Sequence, residues 1–182
     1  MKTVVLAFAA FIGAAPSLAQ NGAASSAATK KRPHARLGKF QDPANQYLFT
    51  VPETTVGELA LELQKKLGVG VMRVVGDREM KVTRVAFSPG AAGSKREIGA
   101  LEMPDVQALI VGETREWETV EYVADAVSQD RHKALIVLSH IPSEQQGMAE
   151  CAKWLKTFVT EVPVEFVPAP DPFTDTALLK KP

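Results

Sequence analysis

A histidine and a glutamate lie four positions apart, immediately after a run of apolar residues. Residues 134–138 predict a buried strand, Ser139 and His140 end it, and Glu144 falls in the first turn of the helix that follows. Imidazole nitrogen and carboxylate oxygen are ligands that suit zinc, manganese or iron. The pattern therefore predicts half of a divalent-metal site, with His140 and Glu144 as the metal ligands.

Each of these residues also has a simpler interpretation. His140 can be a polar residue that finishes a strand, and Glu144 can be an acid that favours the positive end of a helix dipole. A histidine followed four positions later by a glutamate also occurs often by chance. His132 precedes the same strand and lies roughly 20 Å or more from His140 at about 3.3 Å per residue. It cannot bind the same ion within one subunit.

The elements that must position these residues alternate along the chain. Thr55 and Glu58 form a capping box that predicts the start of a helix, and Gly68 predicts its end. A second helix is predicted to end near Met103, a third follows Glu113, and a fourth covers residues 142–159. The buried face of the third helix is predicted to contain Trp117, Val120, Val123, Ala124 and Val127.

The strands are short runs rich in β-branched residues. They are predicted at residues 69–75, 82–87, 108–111, 134–138 and 164–167, with a turn at residues 76–77 between the first two. Strands that alternate with helices predict an α/β fold with a largely parallel sheet and covering helices.

Parallel sheets of this kind bind ligands outside the carboxyl ends of their strands. Three predicted loops would meet at that edge: residues 88–94, 112–114 and 139–144. Glu113 in the second loop is the candidate catalytic residue. If the protein is an enzyme, its carboxylate would orient or deprotonate a metal-bound water.

The N-terminus has the features of a secretory signal peptide. Residues 1–19 contain Lys2, an apolar run and small residues at Ser17 and Ala19. We therefore expect an exported protein, periplasmic or secreted, without a membrane span, because the apolar run is too short to cross a bilayer. A buried N-terminal helix is the alternative interpretation.

The rest of the chain divides into three predicted segments. Residues 20–46 are rich in Ala, Ser, Gly and basic residues and predict a flexible tether. Residues 47–173 form the α/β domain, and residues 174–182 form a tail.

Composition excludes two features. Lys and Arg number 21 and Asp and Glu number 21, so there is no net charge to attract nucleic acid, which is not expected as a partner. Cys151 is the only cysteine, which excludes an internal disulfide. Its neighbours on the predicted helix face are apolar, which predicts a core thiol.

Four blocks of the sequence resemble the C-terminal half of the NIF-three-like family. Members of this family are also called type 2 homologues of GTP cyclohydrolase I, or dinuclear metal centre hexameric proteins. The resemblance runs from about residue 54 to residue 173. The blocks are residues 82–94, 108–113, 139–147 and 162–167.

The resemblance implies a two-metal centre in each subunit of a toroidal hexamer. His140 and Glu144 match two ligands of the family, and Glu113 matches a strand end near its metals. The other family ligands belong to an N-terminal half with a His-His-Pro block, and this sequence contains no His-His pair. Pro89 and Ala92 also differ from the small or Gly residues usual in the family's glycine-rich loop.

Two classes of function stay open. One is a non-catalytic exported module with a weak site for a metal or a small-molecule ligand, because two ligands are fewer than zinc sites use. The other is a metal-dependent hydrolase, resembling the type 2 cyclohydrolase homologues, whose ligand set is completed by another subunit, a partner or His34. A homo-oligomer is expected in either case, most simply a dimer, because a half-length domain exposes apolar surface.

Overall fold

A six-stranded sheet forms the centre of the protein, whose computed structural model describes residues 41–42 and 45–179. The strands follow the order β1-β2-β4-β5-β6-β3 across the sheet. Their bounds are β1 Gln41–Asp42, β2 Asn45–Thr55, β3 Arg73–Val75, β4 Lys81–Ser88, β5 Ala108–Val111 and β6 Ala134–Val137. The central strands β4, β5 and β6 are parallel, and the flanking strands pair antiparallel. The predicted α/β fold is confirmed, with the parallel pairing confined to the middle of the sheet.

In the part of the chain that the structure describes, four α-helices connect and cover the strands. They are α1 Val56–Leu67, α2 Ser94–Glu102, α3 Glu121–Ser128 and α4 His140–Leu155, with a π-helical turn at Glu116–Val120 and a 3-10 turn at Thr176–Leu179. The capping box of α1 is present, since the Thr55 side chain accepts from the backbone N–H of Glu58, and the Glu58 side chain accepts from the backbone N–H of Thr55. Gly68 ends α1 in the left-handed conformation, at a φ of 65°.

Alternate residues of the central strands face two different hydrophobic cores. In β5, Ala108 and Ile110 pack in the core that contains the apolar face of α1. Leu109 and Val111 pack in the core that contains Leu101 of α2 and residues of α3. β5 is therefore buried on both sides, which explains its uninterrupted apolar sequence.

The first predicted strand is shorter than expected, and it does not pair with the strand that follows it in sequence. Residues 69–75 were predicted as one strand, but only Arg73–Val75 is β-structure, and it pairs antiparallel with β6. β4 is already bonded to β2 on one side and to β5 on the other, so it has no free edge for β3. β6 supplies the free edge.

The prediction of a strand at residues 164–167 is wrong. This segment belongs to no strand, and Val164 and Phe166 line a groove beside α4. Gln145 of α4 holds the end of the segment by accepting from the backbone N–H of Ala169 at 2.8 Å. Val164 and Phe166, the alternating apolar residues of this segment, therefore pack against a helix and not against a sheet edge.

The predicted buried face of the third helix is also partly wrong. Val123 is buried, but Trp117 is 73% exposed and Ala124 is exposed, whereas Thr119 is buried. The reason is the π-helical turn at Glu116–Val120, whose wider spacing shifts side chains away from the 3.6-residue period.

The sheet also reaches further toward the N-terminus than the predicted domain boundary at residue 47. β1 and the first residues of β2 belong to the segment expected as tether. The predicted signal peptide and residues 20–40 lie outside the described residues. No helix within the described part of the chain is long and apolar enough to cross a membrane.

Candidate metal half-site

The carboxyl ends of β4, β5 and β6 bring together the three segments predicted as loops, although the third is a loop only at Ser139, because residues 140–144 form the start of α4. Backbone hydrogen bonds join them: the N–H of Gly112 donates to Ser88 O at 3.1 Å, that of Glu113 to Gly90 O at 2.8 Å, and that of Ser139 to Gly112 O at 3.1 Å. The loops are therefore extensions of the parallel ladder. Their relative positions are fixed by the same bonds that build the sheet.

Two glycines make this close approach feasible. A Cβ on Gly112 would overlap Ser143 Oγ and lie 2.6 Å from Gly90 O, which is closer than real side chains come. Gly90 has a φ of 64°, and a Cβ there would overlap Glu144 Oε1 and lie 3.4 Å from His140 Nε2. The backbone at Gly90 thus forms one wall of the space around the His140 and Glu144 side chains.

Helix α4 begins two residues earlier than predicted, at His140, so His140 and Glu144 are neighbours on one face. His140 Nε2 lies 3.1 Å from Glu144 Oε2, and the two side chains are 42% and 44% exposed. This pair lies where the sequence places the two metal ligands, and it is open to solvent.

Glu113 contacts the other ring nitrogen. Its Oε1 lies 3.0 Å from His140 Nδ1. A carboxylate oxygen only accepts, so in each of these two contacts the ring nitrogen is the donor when it carries a proton. Glu113 and Glu144 therefore lie on opposite edges of the imidazole ring.

Ser143 is a residue of the site that the sequence did not reveal. Its hydroxyl accepts from the backbone N–H of Gly90 at 3.0 Å and donates to the carbonyl of His140 at 2.6 Å. It is 6% exposed and ties the first turn of α4 to the glycine loop. Its place between His140 and Glu144 was the available signal, but a serine in a helical turn is too common to single out.

His140 and Glu144 bring together an imidazole nitrogen and a carboxylate, which are donors of the kind that divalent cations bind. Within residues 45–179, no group of three or more His, Cys, Asp and Glu side chains forms a metal site. The imidazole ring of His140 lies between the carboxylates of Glu113 and Glu144. Two ligands are fewer than the three that catalytic zinc sites use with a water.

A groove continues from this pair along α4. It has a volume of about 410 Å³ and is bounded by α4 and by residues 164–169. His140, Glu144 and Gln145 lie at its polar end, and Met148, Cys151, Leu155 and Phe166 lie further along. Cys151 is half-buried in this wall, beside the 50% exposed Met148, so the helix face predicted as core is partly open.

The fold and this site define a class of α/β proteins with a glycine-lined site at the ends of three parallel strands. Residues 29–172 match the model of the Duf34/NIF3 (NGG1p interacting factor 3) family, and the chain belongs to that family. No significant match is found among curated protein sequences.

Three solved structures have a similar fold. They are the Staphylococcus aureus protein SA1388 (20% identity, TM-score 0.56), a Bacillus cereus protein related to NIF3 (19%, 0.54) and protein ybgI, of unknown function (22%, 0.55). The similarity covers 70%, 70% and 71% of this chain, but only 41%, 35% and 50% of those chains. The chain thus matches half or less of each of these proteins, and at these identities the likeness concerns the fold alone.

Proposed function

We propose that this protein is a non-catalytic Duf34/NIF3 module that binds one divalent cation weakly through His140 Nε2 and Glu144. The observation that carries the proposal is the pair of contacts on the imidazole, 3.0 Å from Nδ1 to Glu113 and 3.1 Å from Nε2 to Glu144. With the N–H of a neutral imidazole on Nδ1, where Glu113 accepts it, Nε2 keeps its lone pair for a bond to a ligand. A cation held by Nε2 and Glu144 would then take the place of the proton that otherwise joins them.

Glu113 acts on the histidine in this proposal. A carboxylate that accepts from the outer nitrogen of a metal-binding histidine fixes its tautomer and raises its basicity. The sequence led us to expect that Glu113 would orient or deprotonate a metal-bound water. Its contact with Nδ1, on the ring edge away from Glu144, favours a role in orienting the ligand.

Metal content of the purified full chain tests the assignment. We expect the wild type to hold zinc, manganese or iron and to lose it to a chelator. His140→Ala and Glu144→Gln should abolish stoichiometric binding, because each removes one of two ligands. Glu113→Gln should weaken affinity about 10- to 100-fold, the usual effect of changing an outer partner of a ligand.

Two matched controls separate a site effect from a general one. His132→Ala removes an exposed histidine that precedes β6, and Glu150→Gln removes an exposed acid of α4 that pairs with Lys153 at 2.6 Å. Both variants should bind metal like the wild type. Unchanged metal content in His140→Ala would refute the assignment.

A metal-dependent hydrolase is the second candidate. The observation in its favour is the exposure of His140 and Glu144, which leaves room for ligands from another subunit or a partner. The adjoining groove, polar near this pair and apolar beyond, offers space for a small-molecule ligand. Metal-dependent hydrolysis of GTP by the full chain, lost in His140→Ala, would favour this candidate over the non-catalytic one.

Homo-oligomerisation belongs to both candidates. Large apolar side chains are exposed on α4 and the segment after it: Met148, Trp154, Phe158, Val162 and Val167. Apolar surface of this kind marks interfaces when it forms a patch of more than a few hundred Å². Light scattering coupled to size exclusion should show a dimer, and a strictly monomeric mass at tens of micromolar protein would contradict this expectation.

We further propose that the protein is exported and that residues 1–19 are removed. The features that support this are Lys2, the apolar run and the small residues Ser17 and Ala19. Intact-mass measurement of protein recovered from the periplasm or medium should show a chain that begins near Gln20. A retained Met1 would refute the proposal.

A further inference from the structure

Glu97 is a fully buried carboxylate outside the metal half-site. It lies in α2 and is 0% exposed. Its Oε2 accepts hydrogen bonds from Thr114 Oγ1 at 2.6 Å and Thr119 Oγ1 at 2.7 Å, while Oε1 has no partner among the described residues. Burying a carboxylate is unfavourable, and an apolar residue would fill this position at lower cost. The two hydroxyl contacts indicate that Glu97 has a specific role.

Both threonines belong to the segment that follows β5 and carries Glu113. Thr114 is the residue directly after Glu113, and Thr119 lies in the π-helical turn. On its other side, Glu113 is held by its own backbone N–H, which donates to Gly90 O at 2.8 Å. Glu113 is thus held on one side by its hydrogen bond to the glycine loop and on the other by the contact of Thr114 with Glu97 in α2.

We propose that Glu97 is a positioning residue that holds Glu113 against His140 Nδ1. One carboxyl oxygen that accepts from two hydroxyl groups holds both ends of the Thr114–Thr119 segment. The Glu113 carboxylate is 57% exposed, and among the described residues its side-chain contact is with His140 Nδ1, so its place depends on how the backbone on either side of it is held. The link to cation binding rests on the proposed function, whereas the link to His140 does not.

The test compares variants of the full chain by nuclear magnetic resonance in the presence of a chelator. Two quantities are measured: the exchange rate of the Glu113 amide proton and the chemical shifts of the two ring nitrogens of His140. Glu97→Ala should raise that exchange rate at least about tenfold, because the hydrogen-bonded anchor is gone. It should also move the His140 shifts in the same direction as Glu113→Ala.

Glu97→Gln should restore near wild-type values, because its amide oxygen accepts both hydroxyls. Thr114→Val removes one hydroxyl at constant shape and should move both quantities part of the way, which keeps the test usable if Glu97→Ala does not fold. Leu101→Val is the matched control, since Leu101 is a fully buried residue of the same helix that packs in the hydrophobic core. It should lower stability and leave the His140 shifts unchanged.

The outcomes separate this inference from the proposed function. His140 shifts that stay at wild-type values in both Glu97→Ala and Thr114→Val would overturn the inference, whatever the metal content. Shifts that move as expected in a protein that never binds metal would support the positioning role and refute the metal proposal. Equal effects from Leu101→Val would also overturn the inference, because they would show a general loss of packing.

Discussion

Replacing Gly90 by alanine should remove metal binding while leaving most of the stability intact. The new Cβ would overlap Glu144 Oε1 and lie 3.0 Å from Glu144 Cδ and 3.4 Å from His140 Nε2. Glu144 is 44% exposed and its end is flexible, so it can rotate away into solvent. That rotation separates the two proposed metal ligands.

The cost in stability comes mainly from the backbone. Gly90 has a φ of 64°, and an L-residue in the left-handed region costs about 1–2 kcal/mol. For a chain of this size, such a loss corresponds to about 2–8 °C in melting temperature. The affinity for metal should fall by more than the roughly 10- to 100-fold typical of changing an outer partner of a ligand, because Glu144, a proposed ligand, is itself displaced.

Gly68 provides the matched control for this experiment. Its φ of 65° is nearly the same as that of Gly90, and a Cβ there would meet nothing within 4 Å. Gly68→Ala should therefore lose similar stability and keep wild-type metal affinity. Calorimetry of unfolding and of metal binding, carried out on both variants, compares their stability and their affinity for metal. Metal affinity that is equal in the two variants would refute the idea that Gly90 forms a wall of the site.

Two further predictions concern stability away from the site. The Lys133 Nζ donates to the carbonyls of Met103 at 3.0 Å and Val106 at 2.5 Å, so Lys133→Met should cost about 1–3 kcal/mol in urea unfolding. Burial lowers the pKa of Lys133 below its usual value of 10.5, so the unfolded chain binds more protons in the window just below pH 10.5. The free energy of unfolding of the wild type should therefore increase as pH rises through that window. The Lys133→Met variant should not show this increase. Thr55→Ala should cost about 1 kcal/mol by removing the cap of α1. The pKa of Glu58 is lowered mainly by the backbone N–H of Thr55 and then by the Thr54 hydroxyl. Because Thr55→Ala retains that N–H, a carboxyl titration of the variant should show that the Glu58 pKa stays depressed.

The amino-acid sequence determined the features that depend on neighbouring residues. The capping box and Gly68 predicted the bounds of α1, and the apolar runs of β5 and β6 predicted two strands, the second of them buried. The carboxyl ends of parallel strands share one edge, so the meeting of the three loops also followed from local pattern and chain order. The turn that carries His140 and Glu144 was visible for the same reason.

Only the tertiary structure decided what depends on distant partners. β3 pairs with β6 because both sides of β4 are occupied, and residues 164–167 lie along α4 although their pattern suits a strand. No local pattern marks Glu97 as buried, since its two threonine partners lie 17 and 22 positions away in sequence. The ring nitrogen that Glu113 contacts is also set by long-range geometry, because the ring of His140 and the β5 loop meet only when the parallel ladder forms.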